Sequence, residues 1–159
     1  MNAHTQQPPP SVGQVMHSPV VSVGDQDTLW TAMDLMLGRG LRHLVVVRGD
    51  KALGVLVDRE LAAVWAMSPL GLKQRTVLDT MAPAQSFLTP EVDVVTAAQR
   101  MRVLGVDALV VVDRDQHPLG VVTDHDLLGV LAQMLGGAGE DADTVPRYHG
   151  SGYPVMLPD

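Results

Sequence analysis

A stretch of about fifty residues occurs twice in this chain, and that repetition limits the possible folds more than any single motif. Gly40-Leu41-Arg42-His43-Leu44-Val45-Val46-Val47 lies over Gly105-Val106-Asp107-Ala108-Leu109-Val110-Val111-Val112 at an offset of 65. The same offset pairs Met16 with Met81, Thr31 with Thr96, Ala32 with Ala97 and Met36 with Met101. One extra residue in the following turn moves the offset to 66. It then pairs Leu53-Gly54-Val55 with Leu119-Gly120-Val121, Asp58 with Asp124, and Leu61 with Leu127. Agreement over this length marks a tandem duplication, so the fold has to be assembled from one unit used twice.

Each copy has the same local grammar. A short helix opens it (Val12 to Met16; Val77 to Met81), and an extended piece follows (Pro19–Val23; Gln85–Leu88). Next comes an amphipathic helix with apolar residues at i, i+3, i+4 and i+7: Leu29, Ala32, Met33 and Met36, then Val94, Ala97, Ala98 and Met101. Gly40 and Gly105 stand just past these helices, where a left-handed cap is expected. Leu44–Val47 and Leu109–Val112 are unbroken β-branched-rich runs that predict strands buried on both faces. Turns at Gly49-Asp50 and Asp113–Pro118 lead to second strands, Leu53–Val57 and Leu119–Thr123. Asp58 and Asp124 occupy N-cap positions for helices running through Met67 and Leu135. Each unit therefore reads α-β-α-β-β-α, an α+β or α/β class. One unit alone would expose much apolar surface, so the two are expected to pack about a pseudo-twofold axis. The expected boundaries are a flexible arm at 1–11 around Pro8-Pro9-Pro10, repeats at 12–70 and 71–135, and a flexible tail at 136–159. Tyr148, Tyr153 and Met156 in that tail are alternatively placed to dock on a partner chain.

The composition removes several functional classes. With 18 acidic against 11 basic residues, the net charge of −7 argues against a nucleic-acid or anionic-membrane surface. Zero cysteines exclude disulfides, thiol catalysis and cysteine-ligated metal centres. Apolar runs such as Leu44–Val47 fall far short of the ~20 residues of a membrane span. No secretory leader is visible, so the expected location is cytoplasmic. The Gly136-Gly137-Ala138-Gly139 run lacks the Lys-Ser/Thr of a phosphate loop, and no nucleophile elbow or zincin motif appears. Asp124-His125-Asp126 groups three possible metal ligands, but neighbours on a helix point apart, and the other histidines show no ligand spacing. No catalytic residue and no metal ligand is nominated.

The duplicated unit, together with Gly120-Val121-Val122-Thr123-Asp124-His125-Asp126, resembles a pair of cystathionine-β-synthase (CBS) domains, a Bateman module, from about Ser11 to Leu135. That resemblance implies a regulatory, non-catalytic module binding AMP, ADP, ATP or S-adenosylmethionine, and pairing through its helices as a homodimer read by a separate effector protein.

The motif also has chemistry of its own. Thr123 ends a strand and Asp126 lies in the first turn of the next helix, so a hydroxyl and a carboxylate can face one cleft beside a helix N-terminus. A carboxylate can accept both hydroxyls of a ribose, as an acidic residue does in dinucleotide folds. Backbone near Val121 can read an adenine edge. By analogy with the family, Arg42 and His43 reach the phosphates, an Arg fork being suited to that geometry. Val20, Val21 and Leu41 are the candidates for apolar ring contacts. The competing reading is purely structural: Asp124 and Asp126 favour a helix N-terminus and Thr123 a strand. In the first copy the run is Gly54-Val55-Leu56-Val57-Asp58-Arg59-Glu60, without the hydroxyl and with a longer acid, so one ligand per chain is expected. The alternative function is a ligand-independent dimerisation scaffold, with Trp30, Trp65, Met33, Met36, Met67 and Met101 contributing an apolar face.

Overall fold

The computed structural model describes residues 8–81 and 86–136. Each repeat builds a three-stranded sheet with one parallel and one antiparallel pairing. In the first, β1 (Ser22–Gly24) runs parallel to β2 (His43–Arg48), which pairs antiparallel with β3 (Lys51–Val57). In the second, β4 (Phe87–Leu88), β5 (Ala108–Val112) and β6 (Pro118–Thr123) repeat that order. Both antiparallel ladders slip at the same place, between Val46 and Val47 and between Val111 and Val112. The irregularity was duplicated along with the sequence.

Helices α2 (Leu29–Arg39) and α6 (Val94–Leu104) connect the parallel strands. Their starts are fixed by Thr28 and Asp93, whose side chains accept from the backbone N–H of Thr31 and Thr96. Their ends are fixed by Gly40 and Gly105, at φ 63° and 67°, where a side chain would be strained. Helices α3 (Asp58–Met67) and α7 (Asp124–Leu135) follow β3 and β6 directly. Their N-caps lie one residue before the expected Asp58 and Asp124, at Val57 and Thr123. Extended geometry persists through both residues, so the aspartates fall inside the first turn. A short helix at Gly71–Gln74, α4, was not foreseen from the pattern.

The unbroken apolar strands are explained by two different neighbours. Leu44 and Val46 face the helices of the first repeat, and Leu109 and Val111 those of the second. The alternate residues Val45, Val110 and Val112 meet one another, with Ala52, Val55 and Ala108, in a core between the two sheets. Fully buried leucines and valines of this kind each contribute about 1.5–3 kcal/mol.

The opening helices are exchanged. α1 (Val12–Val15) places Val12 in the core of the second repeat, while α5 (Val77–Thr80) places Val77, with Leu72 of α4, in the core of the first. The backbone bonds have matching counterparts. Val12 N–H donates to the Val92 carbonyl (2.7 Å) and Val94 N–H to the Pro10 carbonyl (3.0 Å). Likewise Val77 N–H donates to the Asp27 carbonyl (2.9 Å) and Leu29 N–H to the Arg75 carbonyl (3.1 Å). Pro10 and Ser11 thus already belong to the folded body. The expected tail from residue 137 onward, His4, and Gln85 of the second extended piece lie outside the described residues. Among the described residues no helix is long and apolar enough to cross a membrane.

Candidate functional site

Thr123 and Asp126 form a complete capping box at the start of α7. The Thr123 hydroxyl accepts from the Asp126 N–H (3.3 Å), and Asp126 Oδ2 accepts from both the Thr123 N–H and the Thr123 hydroxyl, each at 2.8 Å. The other carboxylate oxygen, Oδ1, lies 2.6 Å from Nε2 of His17. The Asp126 side chain is only 8% exposed, whereas that of His17 is 72% exposed. Asp126 thus caps the helix with one oxygen and meets His17 with the other.

A cavity of about 150 Å³ opens beside this box. Val20, Val21, Leu41, Arg42, His43, Val121 and Thr123 line it, joined by His17 and Pro19. Seven of the eight ligand candidates are thus brought together; Asp126 stands behind Thr123 and His17. The cavity has walls from both repeats. That arrangement follows from the exchange of α1, whose C-terminal extension crosses β6 with His17 paired to Val121. Typical ligand pockets enclose about 300–1,000 Å³, so this one is small as it stands. His17, which no sequence signal nominated, is the side chain closing it at Asp126.

The basic residues of the cavity are already partnered. Arg42 Nε lies 3.5 Å from Asp58 Oδ2, and His43 Nε2 lies 3.4 Å from Asp107 Oδ1. Asp107 Oδ2 in turn takes Arg59 Nη1 at 2.6 Å. Partial burial works to raise the Asp107 carboxyl, but the Arg59 hydrogen bond, its charge and that of His43 outweigh it and hold the group below the usual carboxylate range. Asp107, at the place of Arg42 in the second copy, is therefore held between Arg59 and His43.

The matching region of the first repeat differs. Glu60 accepts from the Val57 N–H (2.9 Å) but finds no hydroxyl there, and its half-buried carboxyl is pushed up by desolvation. Its counterpart of the 17–21 segment falls largely outside the described residues.

Two larger cavities lie on the helical faces. One of about 660 Å³ separates α6 from α7, lined by Ala98, Met101, Leu127, Leu128, Leu131 and Met134 among others. One of about 510 Å³ separates α2 from α3, with Met33, Met36, Leu37, Leu61 and Trp65. Met36 and Met101 are core residues at the floor of these grooves, while Met67 stands exposed outside them. Trp30 is half-exposed beneath the Lys73 ammonium, 4.9 Å from its ring. Leu128, Leu131 and Met134 were missed, although they recur at helical spacing on α7, which buries no residue fully. Such a helix signals a face awaiting cover.

One possible metal-ligand group exists among the described residues, Asp113, Asp115 and His117 in the β5–β6 turn. The Lys51 ammonium lies 3.5 Å from His117 Nε2, so positive charge is already supplied there.

A duplicated mixed sheet module with a cleft shared between its halves defines the class. The family profile described as CBS domain matches residues 12–66 and 78–133, and the chain belongs to that family. Among solved structures, it is similar to the CBS domain pair of protein MJ0100 in complex with 5′-methylthioadenosine and S-adenosyl-L-methionine. The TM-score is 0.72 at 18% identity, covering 80% of this chain and 99% of that one. CBSX2 in complex with AMP gives a TM-score of 0.67 at 22% identity, covering 79% and 98%. Among curated relatives, homoserine O-acetyltransferase of Methanosphaerula palustris is 29% identical over 118 residues, 73% of this chain and 23% of that protein. The chain spans between 23% and 45% of the length of the curated relatives it matches first.

Proposed function

We propose that the chain is a regulatory, non-catalytic module that binds an adenosyl ligand, AMP, ADP, ATP or S-adenosylmethionine, in the cleft beside Thr123 and Asp126. The observation carrying this reading is the capping box itself: a nearly buried carboxylate, at a helix N-terminus, beside a cavity walled by both repeats. Asp126 takes the ribose diol and Thr123 a ribose or phosphate oxygen. Val20, Val21 and Leu41 lie against the ring, backbone at Val121 reads its edge, and Arg42 and His43 approach the phosphates. The complexes of MJ0100 and CBSX2 support an adenosyl ligand by likeness of fold. The sequence repeats run 12–70 and 71–135, with one ligand per chain, since Val57 and Glu60 do not reproduce the box. A ligand joining both repeats biases their relative disposition by its differential affinity. The apolar grooves then carry that change into a homodimer in the cytoplasm, read by a separate effector.

Calorimetric titration with AMP, ATP and S-adenosylmethionine tests the site. Asp126→Ala is expected to lower affinity at least about tenfold, while costing the fold about 0.3–1 kcal/mol through the lost N3 half of the capping box. Unchanged affinity refutes the assignment.

A second reading, a ligand-independent dimerisation scaffold, is favoured by one comparison of size: the helical grooves enclose about 660 and 510 Å³, against about 150 Å³ for the cleft. The two readings separate in a thermal melt, where a bound nucleotide raises the midpoint by mass action and a scaffold shows no shift.

A further inference from the structure

His17 is held in place by its backbone. Its N–H donates to the Val121 carbonyl (2.9 Å) and its carbonyl accepts from the Val121 N–H (3.1 Å). This close approach is possible because Gly120 has no side chain; a Cβ there would lie 2.8 Å from the His17 carbonyl oxygen. The imidazole, itself mostly exposed, reaches from this anchor to Asp126 Oδ1 at 2.6 Å. Oδ2 of the same carboxylate already takes two hydrogen bonds from Thr123. Oδ1 is therefore the oxygen a sugar hydroxyl needs, and His17 occupies it. Arg42 and His43, the other cationic or titratable groups of the cavity, are directed to Asp58 and Asp107 instead. The position equivalent to His17 in the second copy is Ala82, whose side chain carries no donor.

Resting on the adenosyl-binding reading, we propose that His17 competes with the ribose diol for Asp126 Oδ1, making it the residue that sets affinity and sugar selectivity in this cleft. A ligand enters by displacing the imidazole, which can swing outward about its side-chain torsions while the backbone stays bonded to Val121. Removing the ring leaves Oδ1 to the sugar.

The test is calorimetric titration of AMP, and of AMP lacking both ribose hydroxyls (2′,3′-dideoxy-AMP). It uses the wild type, His17→Ala, His17→Ser, Asp126→Ala and the His17→Ala/Asp126→Ala double variant, each checked for folding by circular dichroism. Both His17 variants are expected to bind AMP about three- to tenfold more tightly than wild type. No gain is expected for the dideoxy ligand, and none in the Asp126→Ala background. A role for His17 in folding alone would not distinguish the two sugars. Unchanged or weaker AMP binding by the His17 variants, with Asp126→Ala still impaired, overturns the competition and leaves the adenosyl site standing. AMP binding that is indifferent to Asp126→Ala, or absent in wild type and His17 variants alike, overturns the site and the competition together.

Discussion

Asp126 joins its own helix start to a distant segment of the chain. Its Oδ2 closes the first turn of α7, and its Oδ1 meets the His17 imidazole. Thr123 and Asp126 were nominated from the strand-to-helix motif, but their capping box was not, because the N-cap was expected one residue later, at Asp124. His17 was not legible, because its role depends on where a distant segment crosses β6. The signal that could have suggested it was Gly120, a glycine inside a strand that reads as close backbone approach. Gly120→Ala would force its new methyl against Met16 Sδ (2.5 Å) and the His17 carbonyl (2.8 Å). Met16 can yield, but the carbonyl is paired in the bridge to Val121. Urea denaturation is expected to show a loss of about 1–3 kcal/mol, in the range of overpacking.

Among the elements, the two strand-to-helix junctions form a natural comparison. α7 begins with a hydroxyl cap, α3 with Val57, which cannot accept the orphan N–H groups of its first turn. Val57→Thr together with Glu60→Asp should give α3 the same box and raise stability by about 0.5–1 kcal/mol in denaturant titration. The hairpin turns make a second junction, between repeats. His117 has Asp113 at Nδ1 (2.8 Å) and Asp50 at Nε2 (3.1 Å), so both ring nitrogens donate only in the imidazolium form. Ala52 N–H donates to the Gln116 carbonyl (2.9 Å), Gln116 Nε2 to the Ala52 carbonyl (2.7 Å), and Lys51 to the Asp115 carbonyl (2.6 Å). The hydrogen bonds to Asp113 and Asp50 raise the His117 pKa above 6.5, and those to His117 hold both carboxyls below 3.8. A raised histidine stabilises the fold below its unfolded pKa and loses that contribution as pH rises through the folded one. The lowered carboxylates contribute above 3.8 and lose it in acid. Thermal melts should therefore decline as pH rises beyond 6.5, and His117→Ala should flatten that decline. The turns were readable as turns, but nothing in one repeat says that its turn meets the other's.

For the whole molecule, the duplicated α-β-α-β-β-α order and the pseudosymmetric packing were both readable from the repeat and its doubly buried strands. The exchange of the opening helices was not, because periodicity assigns a helix its apolar face without saying whose core that face enters. A fragment ending at residue 70 keeps Val12, which belongs to the other core, and lacks Leu72 and Val77, which complete its own. Such a fragment is expected to show no cooperative melting transition in circular dichroism, whereas 8–136 should melt as one unit. A cooperative transition in the shorter piece would contradict the exchange. The crossing also bears on ancestry. Once each opening segment had come to complete its sibling, neither copy could be shed, shuffled or transplanted singly, and the heritable module became the couple.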